Sequence, residues 1–186
     1  MTQGEPDDFT GRLRSHEVGL QPTRPMIVSI RNFFPEDKPL VDQVVRDAWI
    51  ELATAMPGWN ELAPRLGALT ANAALSEVLV AELDGEIVGA AGYVGPNQPK
   101  PDFFAPEWPM VRLMSVVPKA RGHGVGQALL DECINRAKRD STTLIALHTT
   151  PIMEAAQHLY QRAGFGVVRN LPDMFGVSYV LMTRLF

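Results

Sequence analysis

The segment from residue 110 to residue 149 most constrains the fold, because it combines a strand, a glycine-rich turn, a long helix and another strand. The strand-like run MVRLMSVV ends at Val117, the helix continues to about Arg139, and the run TTLIALHT ends at Thr149. Two strands joined through one helix pair in parallel, with a right-handed crossover. The sequence therefore predicts an α/β fold built around this unit.

The remaining patterns complete a mixed central sheet with the element order β-α-α-β-β-β-α-β-α-β-β. The turn signal Asp84-Gly85 divides two apolar runs, which is typical of a β-hairpin. The other predicted elements are a strand at 26–33, helices at 35–56, 61–74 and 151–164, a proline-rich loop at 96–109, and strands at 165–170 and 177–186.

A single domain is predicted at 26–186, and a flexible N-terminal tail is predicted at 1–25. The tail carries glycines and prolines without a sustained apolar period, although an arm docked on the domain is the alternative. A length of 186 residues with 46% hydrophobic residues suits one domain with one sizeable core.

Charge and cysteine content narrow the classes of protein. The formal net charge of -4 gives no sign of a nucleic-acid binder. The N-terminus lacks the features of a signal peptide, and no apolar run reaches the roughly 18 residues that a membrane span needs. Cys133 is the single cysteine, which excludes an internal disulfide and a cysteine-pair zinc site, and the histidines suggest no metal site. We therefore expect a cytoplasmic protein that binds no nucleic acid, membrane or metal.

The turn before the long helix has the sequence ARGHGVGQ and combines Arg121 with glycines at 122, 124 and 126. Free backbone N–H groups and the positive end of the helix dipole at such a helix start favour a phosphate group. Glycines leave room for a diphosphate, whereas a need for positive φ would account for one glycine and not for three. The dinucleotide fingerprint G-x-G-x-x-G fails at Gln127, and the sequence has no Gly-Lys-Ser/Thr P-loop.

Two motifs carry a family resemblance. The run LMSVVPKARGHGVGQALL resembles the acyl-CoA-binding motif of the GNAT superfamily of N-acetyltransferases, in which a strand, V-x-P and R-x-x-G-x-G/A lead into a helix. The run AAQHLYQRAGF resembles a second motif of that family, A-x-x-L-Y-x-x-x-G-F, at the expected distance. The resemblance covers about residues 27–186 and agrees with the predicted element order.

The resemblance implies where acetyl-CoA binds as co-substrate. The pyrophosphate would lie on the backbone N–H groups of the turn, and the preceding strand would pair with the pantetheine arm like an added strand. In this fold the strands that flank that position usually splay apart. The implied acetyl-CoA-binding residues are Met114, Ser115, Val116, Arg121, Gly122, His123, Gly124, Val125, Gly126 and Gln127.

The resemblance also implies an acid and a base for direct transfer. Tyr160 occupies the tyrosine position of the second motif and would protonate the leaving thiolate, unless it is only a core aromatic. His148 would deprotonate the amine directly or through water, or would only line the substrate site. Glu107 is the alternative base, because Met110 occupies another position at which family members carry a glutamate. Cys133 would allow an acyl-enzyme, but its place on the apolar face of its helix predicts burial.

The resemblance implies an N-acetyltransferase acting on a primary amine, and the large apolar residues of the variable segments favour a small molecule as the acceptor. The alternatives are a non-catalytic acyl-CoA-binding or sensing module of the same fold and an unrelated nucleotide-binding protein. The identity of the acceptor and the formation of a homodimer are left open. A partly apolar acceptor cleft would be formed by residues that equally suit the core: Trp49, Met56, Trp59, Phe103, Phe104 and Trp108.

Overall fold

The structure is a computed structural model that describes Met1 and residues 26–186. Apart from Met1, the tail predicted at 1–25 lies outside the described residues. The strands are β1 (Val28–Asn32), β2 (Glu77–Leu83), β3 (Glu86–Val94), β4 (Met110–Val116), β5 (Leu144–Thr149), β6 (Gly166–Met174) and β7 (Val177–Leu185). The α-helices are α1 (Lys38–Trp49), α2 (Trp59–Leu62), α3 (Ala68–Ala71), α4 (Val125–Arg139) and α5 (Glu154–Arg162). Short 3-10 helices lie at Pro35–Asp37, Ile50–Leu52, Ala63–Arg65 and Pro118–Ala120.

The seven strands form one mixed sheet in the order β1-β2-β3-β4-β5-β7-β6. The neighbours within β1 to β4 are antiparallel, and so are β5, β7 and β6. β4 and β5 run parallel, and Met110 opposite Ala146 is their one paired position among the described residues. The two strands diverge beyond that pair, so a gap opens inside the sheet. The α/β fold predicted from the sequence, with its mixed sheet, is confirmed.

Helices cover both faces of the sheet. Alternate residues of β2 divide between the two layers, with Leu79 facing α4 and Val80 facing α1. Leu129 and Cys133 of α4 and Val41 of α1 are fully buried in these layers. Burying a side chain of leucine or valine size stabilises a fold by about 1.5–3 kcal/mol. The amphipathic patterns of α1 and α4 therefore fix the two helix layers on the sheet.

Several element boundaries differ from the sequence prediction. The helix predicted at 35–56 is regular only in α1, with a 3-10 helix on each side. The helix predicted at 61–74 is broken into α2, a 3-10 helix and α3, because Pro64 lacks the N–H group for a regular turn and Gly67 follows it. α5 begins at Glu154, so Pro151 lies in the preceding turn and not in the first turn of the helix. β6 continues past the predicted end at 170 and includes Pro172, which an edge strand tolerates because its outer N–H groups need no partner.

Candidate active site

A cavity of about 990 Å³ occupies the gap between β4 and β5. The glycine turn before α4 and the N-terminal part of α5 form part of its wall. A second part, which we call the α2 wall, consists of Leu62, Arg65 and Phe175. The cavity therefore joins the two sequence motifs at the place where the sheet lacks strand pairing.

The glycine turn presents backbone N–H groups to this cavity. Gly124 is the N-cap of α4 and has a φ of +81°, a left-handed conformation that glycine adopts without steric cost. The first helical hydrogen bond runs from the N–H of Ala128 to the carbonyl of Gly124 at 2.9 Å. The N–H groups of Val125, Gly126 and Gln127 therefore have no partner within the helix, and these three residues line the cavity.

Positive φ accounts for two of the three glycines of the turn, one more than the sequence led us to expect, and close packing accounts for the third. Gly122 shares the left-handed backbone of Gly124, with a φ of +80°. A Cβ at Gly126 would lie 3.2 Å from Cδ2 of Leu159, so this glycine allows α4 to approach α5 closely. An added Cβ at Gly122 or Gly124 would meet no described atom within 4 Å, so the turn is open above both residues.

Arg121 ties the turn to the end of α1. Its guanidinium donates to the carboxylate of Glu51 at 2.5 Å and to the carbonyl of Ala48 at 3.2 Å. Its Nε atom also lies 3.3 Å from the carbonyl of Val116. The cation expected beside a phosphate is therefore at the cavity, but Glu51 offsets its charge.

The end of β4 contains a bulge beside the cavity. Its register with β3 shifts between Ala90 and Gly92, and Leu113 has a φ of +48°, which is a strained conformation for a bulky residue. Met114 and Val116 line the cavity and are half-buried. Ser115 is 3% exposed, and its hydroxyl accepts a hydrogen bond from Trp49. Beyond Met110 the edge of β4 is not paired with β5 among the described residues, so its backbone is available to an extended ligand.

Tyr160 lies on α5 and is 7% exposed at the cavity wall. Its ring packs near Phe165, with 6.0 Å between the ring centroids. Burial raises the pKa of Tyr160 well above its usual value, with a smaller contribution from Cys133. The hydroxyl therefore keeps its proton at neutral pH and can donate a hydrogen bond.

His148 lies on β5 in an aromatic cage at the cavity. Its ring centroid is 5.4 Å from that of Phe103, 5.8 Å from that of Phe104 and 5.6 Å from that of Tyr179. Its Nδ1 atom is buried without a hydrogen-bond partner among the described residues. Burial and, to a smaller extent, the positive charge of Arg112 together lower the pKa of His148 to about 4. The imidazole is therefore neutral near pH 7.

Other predicted residues lie outside the cavity. His123 and Glu107 are exposed and are not among its lining residues. Cys133 is fully buried, as predicted, and burial raises its pKa to about 12, so its thiol is not available as a nucleophile. Within the described residues, no group of three or more His, Cys, Asp and Glu side chains could hold a metal ion. No helix in the described part of the chain combines the length and apolar character that crossing a membrane requires.

The residues predicted to form an acceptor cleft have mostly another role. Trp49 lines the cavity, whereas Met56 and Phe104 are buried in the core. Trp59, Phe103 and Trp108 are half-buried and pack against core clusters instead of lining the cavity. Large apolar side chains are chemically suited to both places, so composition alone does not separate them.

The turn between β6 and β7 closes the α2 wall, which the sequence did not indicate. Phe175 and Gly176 both have positive φ, at +55° and +76°, as in the tight turns that suit β-hairpins. The carbonyl of Phe175 accepts a hydrogen bond from the N–H of Gly58 at 2.8 Å. Any Cβ at Gly58 would lie 2.5 Å from the backbone of Phe175, so this contact requires glycine. The guanidinium of Arg65 stacks on the Phe175 ring at 5.3 Å from its centroid.

Sequence reasoning also missed Arg112, which lines the cavity and is half-buried on β4. The available signal was a lone charged residue inside the apolar run MVRLMSVV.

The sequence model of the acetyltransferase (GNAT) family matches residues 42–165 of the chain. This range contains most of α1, the glycine turn and α5 with Tyr160, and so includes most of the cavity wall. Among curated proteins, the probable N-acetyltransferase camello of Xenopus tropicalis is 34% identical over 97 residues, which are 51% of this chain and 42% of that protein. The chain therefore matches less than half of the length of this relative.

Solved structures share the fold over most of their length. The ribosomal-protein-alanine N-acetyltransferase of Brucella melitensis is 27% identical, with a TM-score of 0.64, and the match covers 85% of this chain and 99% of that chain. yncA of Salmonella typhimurium, solved with its cofactor acetyl-CoA, is 23% identical, with a TM-score of 0.64, over 85% of this chain and 93% of that chain. The second likeness concerns the fold alone.

Proposed function

Because the chain belongs to the GNAT acetyltransferase family, we propose that it transfers the acetyl group of acetyl-CoA to a primary amine of a small molecule by direct attack. The observation that carries this proposal is the cavity in the gap between β4 and β5, which joins the glycine turn of α4 to Tyr160 of α5. A donor held on the turn and an amine held at the α2 wall would meet inside this cavity.

The glycine turn would hold the pyrophosphate of acetyl-CoA. The N–H groups of Val125, Gly126 and Gln127 have no helical partner, and the positive end of the α4 dipole adds to their attraction for an anion. The open space above Gly122 and Gly124 lets a diphosphate approach the backbone.

The unpaired edge of β4 would hold the pantetheine arm. A chain of amide groups can hydrogen-bond to Met114 and Val116 as a strand does, because β5 has diverged there. Acetyl-CoA bound in this way supplies the acetyl group as an activated thioester.

Transfer requires a neutral amine, since an alkylammonium ion with a pKa of about 10.4 has no lone pair for attack. The amine nitrogen forms a bond to the carbonyl carbon, the bond from that carbon to sulfur breaks, and the nitrogen loses one proton. Tyr160 would protonate the leaving sulfur or hold it by a hydrogen bond. Because burial raises its pKa, Tyr160 is a weak acid, and the hydrogen bond that strengthens as negative charge develops on sulfur is the more favourable part of this role.

His148 or a water molecule would accept the proton from the amine. The neutral imidazole can accept a proton, but a pKa of about 4 makes it a weak base. Removal of a proton from the ammonium ion by His148 is therefore strongly uphill, whereas removal during attack, when the nitrogen becomes acidic, is not. Glu107 is exposed outside the cavity, so the proposal does not use it.

A small acceptor is supported by the closure of the α2 wall. The contact of Phe175 with Gly58 places the β6–β7 turn over the cavity, and Pro99 and Pro101 of the proline-rich loop line it as well. Such walls suit a compact, partly apolar molecule better than an extended chain. The single free cysteine supports a cytoplasmic location as part of this proposal.

Turnover distinguishes this function from a non-catalytic module that only binds acyl-CoA. The protein is incubated with acetyl-CoA and a panel of primary amines, free thiol is followed with a chromogenic reagent, and the acetylated product is identified by mass. Thiol release that depends on one amine supports the enzyme, whereas CoA binding without turnover on any amine supports the binding module.

Calorimetry with CoA tests the binding site by itself. Gly124→Val should abolish measurable binding, and Gly85→Val is the matched control, because Gly85 also has a large positive φ (+87°) and open space but lies in the β2–β3 turn. Circular dichroism confirms folding of both variants. Unchanged CoA affinity in folded Gly124→Val protein would contradict the assignment of the turn.

A further inference from the structure

The charges that line the cavity are unbalanced. Its lining contains two carboxylates, Glu51 and Glu154, against five cationic side chains: Arg65, Lys100, Arg112, Arg121 and Arg162. A diphosphate on the glycine turn would balance the positive charge of Arg121. It leaves the cations at the α2 wall and on β4 without an anion.

Lys100 is already engaged, whereas Arg112 is not. The ammonium of Lys100 donates to the carbonyl of Gly95 at 3.1 Å and to that of Pro106 at 2.7 Å, so it fixes the proline-rich loop. Arg112 forms neither an ion pair nor a side-chain hydrogen bond with any described residue. Glu51, one of the two carboxylates at the cavity, is paired with Arg121 instead.

The position of Arg112 links it to the reacting groups. It lies on β4 beside the bulge at Leu113, and the next residues, Met114 to Val116, form the proposed pantetheine strand. Arg112 and His148 line the same cavity from the two strands that flank the gap, and the positive charge of Arg112 contributes to the lowered pKa of His148. Arg65 of the α2 wall, stacked on Phe175, adds a second positive charge at the rim.

We propose that the acceptor is a primary amine that also carries a carboxylate, as an apolar amino acid does, and that Arg112 binds this carboxylate. This inference rests on the proposed function. The planar fork of a guanidinium matches a carboxylate with two parallel hydrogen bonds, and Arg112, half-buried and without a partner among the described residues, is ready to make them. Leu62, Phe175 and Tyr179 supply apolar surface for the remainder of such a molecule.

The same arrangement disfavours cationic acceptors. A polyamine or a lysine-rich protein tail would bring several positive charges to a cavity that is already positive, at a cost in Coulomb energy. A nearby positive charge also lowers the pKa of a bound amine, because it destabilises the ammonium form. In the pair with the acceptor, the charge of Arg112 would offset that of the bound carboxylate, which otherwise favours the ammonium form of the amine.

Matched substrates test this proposal. L-phenylalanine is compared with 2-phenylethylamine, which lacks only the carboxylate, and with L-phenylalanine amide, in steady-state assays with saturating acetyl-CoA. We expect the wild-type protein to prefer the amino acid in kcat/KM by about 10- to 100-fold, the range for hydrogen bonds to charged groups. Preference for 2-phenylethylamine would overturn the proposal.

Variants assign the preference to Arg112. Arg112→Met should raise KM for L-phenylalanine by about 10- to 100-fold and leave KM for 2-phenylethylamine and acetyl-CoA unchanged, while Arg112→Lys should lose less. Arg184→Met is the matched control, because Arg184 is also half-buried but does not line the cavity. Equal effects of Arg112→Met on both amines would overturn the proposal. Turnover with succinyl-CoA that depends on Arg112 would also overturn it, because Arg112 would then bind a carboxylate of the acyl donor and not of the acceptor.

A separate measurement covers the case in which no amine is acetylated. Calorimetry then follows the binding of N-acetyl-L-phenylalanine to CoA-saturated protein and to its Arg112→Met variant. If the wild-type protein binds this ligand and the Arg112→Met variant binds it more weakly, the carboxylate site is supported and only the transferase function is contradicted. Binding that is absent, or that does not depend on Arg112, would overturn the carboxylate site as well.

Discussion

The indole N–H of Trp49 donates a hydrogen bond of 2.9 Å to the hydroxyl of Ser115. That hydroxyl donates in turn to the carbonyl of Leu113 at 2.9 Å. Leu113 is the residue of β4 with positive φ, so this relay from α1 holds the bulge that turns the strand toward the cavity. Ser115 therefore acts through its side chain on the backbone that would hold the pantetheine arm.

Removal of this hydroxyl should weaken both the fold and the binding of CoA. Ser115→Ala leaves the Trp49 N–H without an acceptor and the strained bulge without its hydrogen bond, so we expect a loss of about 1–3 kcal/mol in the free energy of unfolding. Urea unfolding and CoA calorimetry measure the two effects. Ser29→Ala is the control, since Ser29 is exposed and its hydroxyl makes a long, weak hydrogen bond of 3.4 Å to Glu82. Equal losses in the two variants would show that the relay has no special role.

Glu51→Gln should strengthen the binding of CoA. It removes the negative charge that engages Arg121 and leaves the guanidinium free for the pyrophosphate. Because the pair is exposed, we expect only about a 2- to 5-fold gain in affinity, which high salt should reduce. Glu61→Gln removes the same charge from an exposed site outside the cavity and should have no effect. Weaker binding in Glu51→Gln would mean that Glu51 holds Arg121 in the productive position.

Tyr160→Phe should lower kcat by about 10²-fold and leave CoA affinity unchanged, because the proton is needed only as the bond to sulfur breaks. Tyr179→Phe is the matched control, since this buried tyrosine also lines the cavity and also has a pKa raised by burial. The measurement is steady-state kinetics under conditions in which chemistry limits the rate. A Tyr160→Phe enzyme with the wild-type kcat would leave Tyr160 as a packing residue.

Acid should destabilise the protein through His148. Its pKa is about 4 in the folded chain and 6.5 ordinarily, so the unfolded chain binds more protons between these values. The contribution of the neutral ring to the free energy of unfolding is fully present above about pH 6.5. It is lost as the pH falls toward 4, by up to roughly 3 kcal/mol. We expect His148→Phe to reduce the difference in unfolding free energy between pH 7 and pH 4.5, and His158→Gln, at an exposed site, to leave it unchanged. An equal pH dependence in wild-type and His148→Phe protein would contradict the burial of a neutral His148.

The parts of the fold that could be predicted are those with a sustained period. α4 repeats apolar residues over fifteen positions, so its place on the sheet follows from its stripe of buried side chains. The helix predicted at 61–74 also has a stripe of buried leucines, Leu62, Leu66 and Leu69, but Pro64 and Gly67 divide it into short pieces. A buried face therefore determines a long helix only where no helix-breaking residue interrupts the chain.

The cavity wall could be predicted only in part, because the bulge in β4 changes which side chains share a face. Simple alternation would put Val111 and Met114 on opposite faces, yet both belong to the core cluster under α4. Simple alternation would also put Arg112 and Met114 on the same face of β4, and the irregular backbone at Leu113 changes this relation in the same way. The residue types in the run MVRLMSVV do not indicate that Leu113 has a positive φ. The motif residues Tyr160 and Gly124 were found because their signals are local.

Among the described residues, β4 and β5 pair only at Met110 and Ala146, so the sheet consists of two halves that meet along a seam. Residues near a seam with few cross-links open more readily than the interior of a continuous sheet. A pantetheine arm that hydrogen-bonds across the seam would behave as a removable eighth strand, and its binding would stabilise the closed sheet by mass action. The rigidity of the protein, and with it its resistance to proteases, would then follow the supply of its own co-substrate.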